Sequence, residues 1–261
     1  MGIAMIELKN IHKYYNPGSV NELCLFQDFS LTINDGDFVA VVGSNGSGKT
    51  SMLNIICGSI PIDSGDIVVN GQSIVGKKDY LRHRKIGRVY QDPAKGTCPS
   101  MTILENLSIA DNKGKPFNLR AGVSKNRINA YKELLSTLNL GLEDKLHTQV
   151  GALSGGQRQA LALLMSTMTP IEFLILDEHT AALDPKTADR IMELTDEIVK
   201  EKKVTTIMVT HNLRYAVEYG NRLIMMHQGE AIIDKAGDEK KAISTGDIMS
   251  TFNKISVECG N

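Results

Sequence analysis

The chain has 261 residues, 42% of them hydrophobic, so it is long enough for one large domain with a sizeable buried core. Its formal net charge of −1 argues against a broad basic surface, and we expect no nucleic-acid partner. The N-terminal residues lack the pattern of a signal peptide, and no apolar run approaches the roughly 20 residues of a membrane helix. A role at a membrane would therefore require docking to another chain.

The cysteines are scattered and include no CxxC pair, so neither a zinc site nor a disulfide framework is indicated. We expect free thiols in a reducing compartment. The cysteines are Cys24, Cys57, Cys98 and Cys259.

In the N-terminal region, the alternation of apolar and polar residues over Met5–Lys9 and Phe29–Ile33 predicts half-buried strands. Phe38–Val42 is a continuous apolar run rich in valine, which is typical of a strand buried on both faces of a parallel sheet. Gly48–Cys57 then predicts a helix, with Gly58 placed to end it.

The middle of the chain, from about Thr102 to Met168, has a helical pattern. One predicted helix face carries Ile128, Tyr131, Leu135 and Leu138. Phe173–Leu176 and Val204–Val209 follow as buried-strand runs. Between them, Asp184 and Pro185 are typical of a helix start, so the order strand, helix, strand predicts a βαβ unit. The apolar face of that helix would carry Ala188, Ile191, Thr195 and Ile198.

The last predicted elements are two strands, Leu223–Met226 and Glu230–Asp234, joined as a hairpin at Gln228 and Gly229. The sequence after Gly237 is polar and weakly patterned.

Residues 43–50 match the phosphate-binding pattern GxxxxGK[ST] in full, between a predicted buried strand and a predicted helix. The glycines let successive N–H groups point inward at phosphate oxygens, and the helix adds the positive end of its dipole. Lys49 would reach the β- and γ-phosphates, and Thr50 would place its hydroxyl on Mg²⁺. The predicted nucleotide-binding residues here are Gly43, Ser44, Asn45, Gly46, Ser47, Gly48, Lys49 and Thr50.

The run Phe173–Leu176 ends in two carboxylates, Asp177 and Glu178. A strand end near a phosphate loop would bring Asp177 to the magnesium ion, where carboxylate oxygens are preferred. Glu178 would then act as the general base on the attacking water. The sequence therefore predicts an enzyme that hydrolyses ATP with Mg²⁺.

Leu153 is followed by Ser154, Gly155, Gly156 and Gln157, which together resemble the signature motif of the ATP-binding cassette (ABC) ATPases. Ser154 and the two glycines would offer hydrogen-bond donors at the start of a helix running from Gln157, which is a second anion site. The resemblance implies a homodimer in which two chains lie head to tail and each signature closes on the γ-phosphate held by the other.

Further positions are assigned from the same resemblance. It implies that Tyr15 stacks on adenine, although the neighbouring Tyr14 is an alternative. It also implies that Gln91 touches Mg²⁺ and water, that Asp184 communicates across the dimer, and that His211 contacts the γ-phosphate. The resemblance extends from Met5 to about Asp234.

Two departures from the common pattern point to a subgroup. Proline commonly follows the catalytic glutamate, where this chain has His179, and arginine commonly stands at the position of Ala160. Together with the stretch Asn16–Glu22, these residues resemble the ATPases of bacterial uptake systems for aromatic amino acids such as tryptophan or tyrosine. That resemblance implies a separate membrane permease, a substrate-binding lipoprotein, and a location at the cytoplasmic face of the plasma membrane.

The expected fold is an α/β P-loop NTPase with a mostly parallel core sheet, an antiparallel β edge and an inserted helical subdomain. The expected parts of this single domain are a core (1–91 and 169–236), a helical subdomain (about 92–168) and a tail (237–261). The stretch Asp92–Asn106 is expected to face the permease as an irregular docking loop, because Pro93, Gly96 and Pro99 disfavour a regular helix. The alternative function is a non-transport ABC ATPase, such as one for iron–sulfur cluster assembly.

Overall fold

The computed structural model describes residues 4–115, 122–123 and 125–258. Cys259 and part of the predicted helical segment and tail lie outside the described residues. The strands within the described ranges are β1 (Ala4–Tyr15), β2 (Leu23–Asn34), β3 (Phe38–Gly43), β4 (Ser64–Val69), β5 (Gln72–Ser73), β6 (Ile86–Val89), β7 (Phe173–Asp177), β8 (Thr205–Val209), β9 (Arg222–His227) and β10 (Glu230–Ala236).

The α-helices within the same ranges are α1 (Lys49–Cys57), α2 (Asp79–His83), α3 (Ile103–Asp111), α4 (Ile128–Ser136), α5 (Gly155–Thr167), α6 (Pro185–Lys202), α7 (Leu213–Glu218), α8 (Gly237–Lys241) and α9 (Thr245–Glu258). Single 3₁₀ turns lie at Pro93–Lys95, Lys125–Arg127 and Val150–Ala152. None of the helices in the described ranges is long and apolar enough to cross a membrane.

The chain forms two compact units, one that combines Met1–His83 with Lys203–Asn261 and one formed by Arg84–Lys202. The predicted helical subdomain, about 92–168, lies within the second of these units. That unit also contains β6, β7 and α6, so its bounds are wider than those of the predicted subdomain. The predicted subdomain bounds stay a prediction.

In the first unit, β3 lies between β8 and β9 and is parallel to both. All six of its residues are buried, as predicted from its continuous apolar run. β10 pairs with β9 in the antiparallel direction and so adds a fourth strand to β8, β3 and β9. The predicted hairpin turn at Gln228 and Gly229 connects β9 to β10. A separate antiparallel sheet has the strand order β2-β1-β4-β5.

Helix α1 follows β3 and is held at its C-terminal end. It begins after Gly48 and ends at Gly58, whose φ of 85° lies in the left-handed region that favours glycine. The Arg82 guanidinium donates to the carbonyl oxygens of Ile55 (3.1 Å) and Ile56 (3.3 Å). This basic group satisfies carbonyls in the last turn of the helix, so the helix behind the phosphate loop is fixed.

In the second unit, β6 and β7 are parallel, with Ile86 opposite Phe173 and Val89 opposite Leu176. Helices α3, α4 and α5 fall between these strands in sequence, as the predicted insertion requires. The predicted apolar face of α6 is buried, and Asp184 accepts from the Thr187 N–H (3.1 Å) as the predicted cap.

Two expectations about local structure are wrong. Helix α5 begins at Gly155 rather than Gln157, because Ser154 forms a capping box with Gln157. The stretch Asp92–Asn106 is irregular only in part, since a 3₁₀ turn opens it and its last residues form the first turn of α3. The weakly patterned tail contains two helices, α8 and α9, and Ile248 is buried there.

Candidate active site

The loop between β3 and α1 tolerates no side chain at two of its glycines. A Cβ atom at Gly43 would lie 2.3 Å from the carbonyl oxygen of Met226, and one at Gly48 would lie 2.9 Å from the Phe26 ring. Gly48 also has a φ of 101°, which side chains disfavour. The glycines at these positions are therefore required by packing and by backbone conformation.

The Lys49 amine is curled back under this loop. It donates to the carbonyl oxygens of Gly43 (2.7 Å) and Ser44 (2.8 Å), and the side chain is buried. The Ser47 hydroxyl is buried too and has no hydrogen-bond partner among the described residues. A buried hydroxyl without a partner, in the same loop as the buried Lys49 amine, fits a phosphate group.

The two tyrosines at the end of β1 have different surroundings. Tyr14 lies opposite Cys24 in the β1/β2 pairing, and a hydrogen bond with that side chain raises the pKa of Tyr14. The Tyr15 ring lies 5.5 Å from the Lys13 amine. Lys13 is opposite Phe26, whose ring contacts the phosphate loop at Gly48. Both tyrosines therefore lie at the end of β1, on a strand whose partner β2 carries Phe26 against the loop.

His211 follows β8 on an exposed turn, between the buried Thr210 and the cap of α7. Asn212 caps that helix by accepting from the backbone N–H of Arg214 (3.0 Å) and Tyr215 (3.4 Å). The Asn212 N–H donates to the Thr210 hydroxyl (3.0 Å). The backbone on both sides of His211 is thus fixed while its side chain faces outward.

In the second unit, Asp177 ends β7 and Glu178 follows with a φ of 50°. This left-handed conformation is uncommon for a residue with a side chain and is typical of functional sites. The Asp177 carboxylate accepts from the Arg88 guanidinium at 2.9 Å. Sequence analysis missed Arg88, although a charged residue inside the apolar strand Ile86–Val89 is a signal that could have revealed it.

The signature residues are held by contacts within the second unit. Ser154 and Gln157 cap α5 reciprocally, and Gln157 also donates to the carbonyl oxygen of Leu140 (3.2 Å). A Cβ atom at Gly156 would lie 2.3 Å from a methyl carbon of Thr187, so glycine is required there by packing. The Ser154 side chain is exposed at the helix start, where a further partner could reach it.

A cavity of about 360 Å³ brings predicted site residues of this unit together. Gln91, Gly155 and Leu183 all line it, so the stretch after β6, the start of α5 and the segment before α6 face one space. The remaining lining residues are Asp92, Pro93, Arg158, Gln159 and Ala182. Asp177 and Asp184 are not among the lining residues.

His179, where the sequence departs from the common pattern, is fully buried. Burial lowers the pKa of its imidazole to about 4, so the ring is neutral near pH 7. A neutral buried ring next to Glu178 in the chain is a packing element.

A model of the family described as ABC transporter matches residues 26–181. The chain belongs to the ABC transporter family. This agrees with the predicted resemblance, and the phosphate loop and acidic pair lie within the matched range.

Individual ABC proteins support the same assignment. A tyrosine transport ATP-binding protein of Clostridioides difficile is 47% identical over 250 residues, covering 95% of this chain and 98% of the relative. The phosphonates import ATP-binding protein PhnC of Lactobacillus delbrueckii subsp. bulgaricus is 34% identical and covers 88% of this chain and 89% of the relative. A solved post-hydrolysis dimer of the ATP-binding cassette MJ0796, bound to ADP and Pi, aligns with a TM-score of 0.75 at 29% identity. That alignment covers 89% of this chain and 98% of the solved one.

These findings confirm the predicted fold class, an α/β P-loop NTPase of the ABC type. They also confirm that the chain is an ATP-binding enzyme that hydrolyses ATP.

Proposed function

We propose that this ABC ATPase is the energising subunit of a bacterial importer for tyrosine or a related aromatic amino acid. The observation that carries the proposal is the phosphate loop closed around the Lys49 amine, in a chain 47% identical to a tyrosine transport ATP-binding protein. Relatives named for phosphonate and methionine import support an import role more broadly.

The phosphate loop binds the nucleotide. Lys49 exchanges its contacts with the Gly43 and Ser44 carbonyls for the β- and γ-phosphates, and the buried Ser47 hydroxyl gains a partner. Tyr15 stacks on the adenine ring, with the neighbouring Tyr14 as the alternative. The rest of the loop contributes backbone donors from Ser44, Asn45, Gly46 and Gly48.

The acidic pair performs the hydrolysis. Glu178 accepts a proton from the attacking water, and its uncommon left-handed backbone conformation supports a functional role. Thr50, Asp177 and Gln91 hold Mg²⁺, which supplies positive charge to the phosphate oxygens when bound. His211 contacts the γ-phosphate from its exposed turn.

A second copy of the chain completes each ATP site. Ser154, Gly155, Gly156 and Gln157 close on the γ-phosphate held by the other copy, while Asp184 carries the signal across the interface. The exposure of Ser154 at the start of α5 supports this role. The solved MJ0796 cassette is a dimer, which supports it too.

The permease docks on the stretch Asp92–Asn106 at the cytoplasmic face of the plasma membrane. Asn106 braces this stretch by accepting from the Cys98 N–H (2.7 Å) and donating to the Cys98 carbonyl (3.0 Å). Gln91 precedes it directly, so one segment couples the nucleotide site to the permease in both directions. The substrate-binding lipoprotein acts through the permease, without contact with the ATPase.

The test is transport by the complex purified from its native membrane and reconstituted in vesicles with ATP inside. We expect uptake of tyrosine or another aromatic amino acid that Glu178→Gln abolishes. A chain that co-purifies with a soluble iron–sulfur assembly protein and no permease would contradict the importer in favour of the alternative. The phosphonates relative is named for import, which favours the importer.

A further inference from the structure

The acidic residue assigned to the magnesium site already has a cationic partner within the chain. Arg88 Nη2 lies 2.9 Å from Asp177 Oδ2, and the two side chains are only 7% and 13% exposed. A nearly buried carboxylate without a compensating charge is strongly destabilising, whereas an arginine always supplies that charge. The pair therefore supplies a compensating charge for Asp177 and holds its side chain in place within the chain.

Arg88 is itself fixed by its neighbours. Its guanidinium lies 4.6 Å from the centre of the Tyr90 ring, within the range of a cation–π interaction. The Tyr90 carbonyl accepts from the amide of Gln159 (3.0 Å), which is buried on α5. The guanidinium is thus part of a braced network that reaches from the signature helix to the end of β7.

We propose that Arg88 is a positioning residue that balances the charge of Asp177 between rounds of hydrolysis and sets the Mg²⁺ affinity of the ATP site. The inference rests on the proposed assignment of Asp177 to that site.

The positive charge of Arg88 determines whether it strengthens or weakens Mg²⁺ binding. An ionised carboxylate has about four lone-pair positions, so Asp177 can keep its contact with Arg88 while it faces a second cation. Mg²⁺ must then share the carboxylate with a fixed positive charge, which weakens its binding. Arg88 thereby favours release of the metal with the product, and its loss should tighten Mg²⁺ binding.

The experiment measures binding of a fluorescent ADP analogue by anisotropy while Mg²⁺ is titrated at fixed nucleotide. Arg88→Gln removes the charge but keeps an amide that can donate to Asp177. We expect the Mg²⁺ concentration at half-saturation to fall about tenfold, the size of a close charge–charge coupling. Arg88→Lys keeps the charge, so its half-saturation should stay within about threefold of the wild type.

Arg127 offers a matched control in the same unit. Its guanidinium contacts both carboxylate oxygens of Asp111 at 2.9 Å and lies 5.6 Å from the Tyr131 ring. Arg127→Gln removes an equivalent combination of arginine, aspartate and tyrosine contacts, and it should leave the Mg²⁺ titration unchanged.

Asp177→Asn separates this inference from the proposed function. We expect it to raise the half-saturating Mg²⁺ concentration, and an unchanged titration would overturn the magnesium assignment itself. If Asp177→Asn weakens Mg²⁺ binding while Arg88→Gln leaves it unchanged, the assignment stands and the inference about Arg88 is wrong. Should Arg88→Gln fail to fold, Arg88→Lys decides: a shift of tenfold or more with the charge retained contradicts the inference, and a shift within threefold supports it.

Discussion

His179 Nε2 lies 3.2 Å from the hydroxyl oxygen of Thr195, and both side chains are buried. The Thr195 hydroxyl donates its hydrogen to the carbonyl oxygen of Ile191 (2.7 Å), so it accepts from His179. The imidazole therefore carries its proton on Nε2 and is neutral. This contact joins the residue after Glu178 to α6.

Stability should decrease as the pH is lowered because of His179. Burial lowers the pKa of the ring from 6.5 to about 4 in the folded chain. At a pH between these values, the unfolded chain binds a proton that the folded chain does not. The stability that depends on the neutral His179 ring is therefore complete above about pH 6.5 and is lost as the pH falls toward 4. The free energy of unfolding, measured with urea, should decrease by about 3 kcal/mol over this window from this residue.

His179→Gln tests whether His179 causes this pH dependence of stability, because an amide can still contact Thr195 but does not titrate. We expect a flatter dependence of unfolding free energy on pH in this variant. His147 is exposed in the same unit, and His147→Gln should keep the wild-type slope. An identical slope in wild type and His179→Gln would show that this ring is not what titrates.

Lys49→Ala should weaken nucleotide binding and prevent ATP-driven dimer formation. Loss of a charge-assisted contact worth about 1.5–3 kcal/mol predicts roughly 10- to 100-fold weaker binding in equilibrium titration. Lys240 is a matched control, since it is also buried and donates to two backbone carbonyls, those of Val217 and Tyr219. Lys240→Ala should bind nucleotide normally, and unchanged affinity in Lys49→Ala would count against the phosphate role.

Much of the fold could be predicted because it follows from local patterns. The apolar run Phe38–Val42, the cap at Asp184 and the turn at Gln228 each have a short-range cause, and each is observed. The tail after Gly237 was missed because its helices depend on tertiary packing. Ile248 is buried there, and the Lys240 amine contacts carbonyls at the end of α7.

The candidate active site likewise has parts that could be predicted from the sequence and parts that could not. The phosphate loop and acidic pair are readable because their chemistry demands fixed residue types at fixed spacing. Arg88 lies 89 residues from its partner Asp177, and the packing of Gly156 against Thr187 joins two different helices. Such contacts depend on the three-dimensional arrangement, which neither periodicity nor spacing reports.

Ser154→Arg should block the dimer while leaving ATP binding to the monomer intact. The arginine would place a bulky side chain where the γ-phosphate held by the other copy belongs. Size-exclusion chromatography with light scattering should show monomers in ATP. Mixed with Lys49→Ala chains, the variant could form at most one intact composite site per heterodimer.

Ser154→Arg also removes the side-chain cap of α5, so the dimerisation experiment needs a control for the loss of a helix cap. Thr102 forms an equivalent capping box with Glu105 on α3, so Thr102→Arg removes a similar cap elsewhere in the unit. Thr102→Arg should still dimerise in ATP. Normal dimerisation by Ser154→Arg would show that the head-to-tail arrangement is wrong.

Cys98 should crosslink to a cysteine placed in a cytoplasmic loop of the permease, with a yield that ATP changes. The half-buried Cys98 lies in the proposed docking stretch. Cys24 is exposed in the other unit and serves as the control thiol, from which no crosslink is expected. If no loop of a co-purifying membrane protein reaches Cys98, the docking assignment fails.

The central claim is that two copies of this chain hydrolyse ATP at shared sites, with Glu178 as the base. Glu178→Gln keeps the shape of the side chain but cannot accept the proton, so turnover should fall at least about a hundredfold while ATP still binds. Light scattering of this variant in Mg²⁺ and ATP should show a persistent dimer, with the nucleotide retained unhydrolysed. Near-normal hydrolysis, or a variant that stays monomeric with ATP bound, would contradict the account.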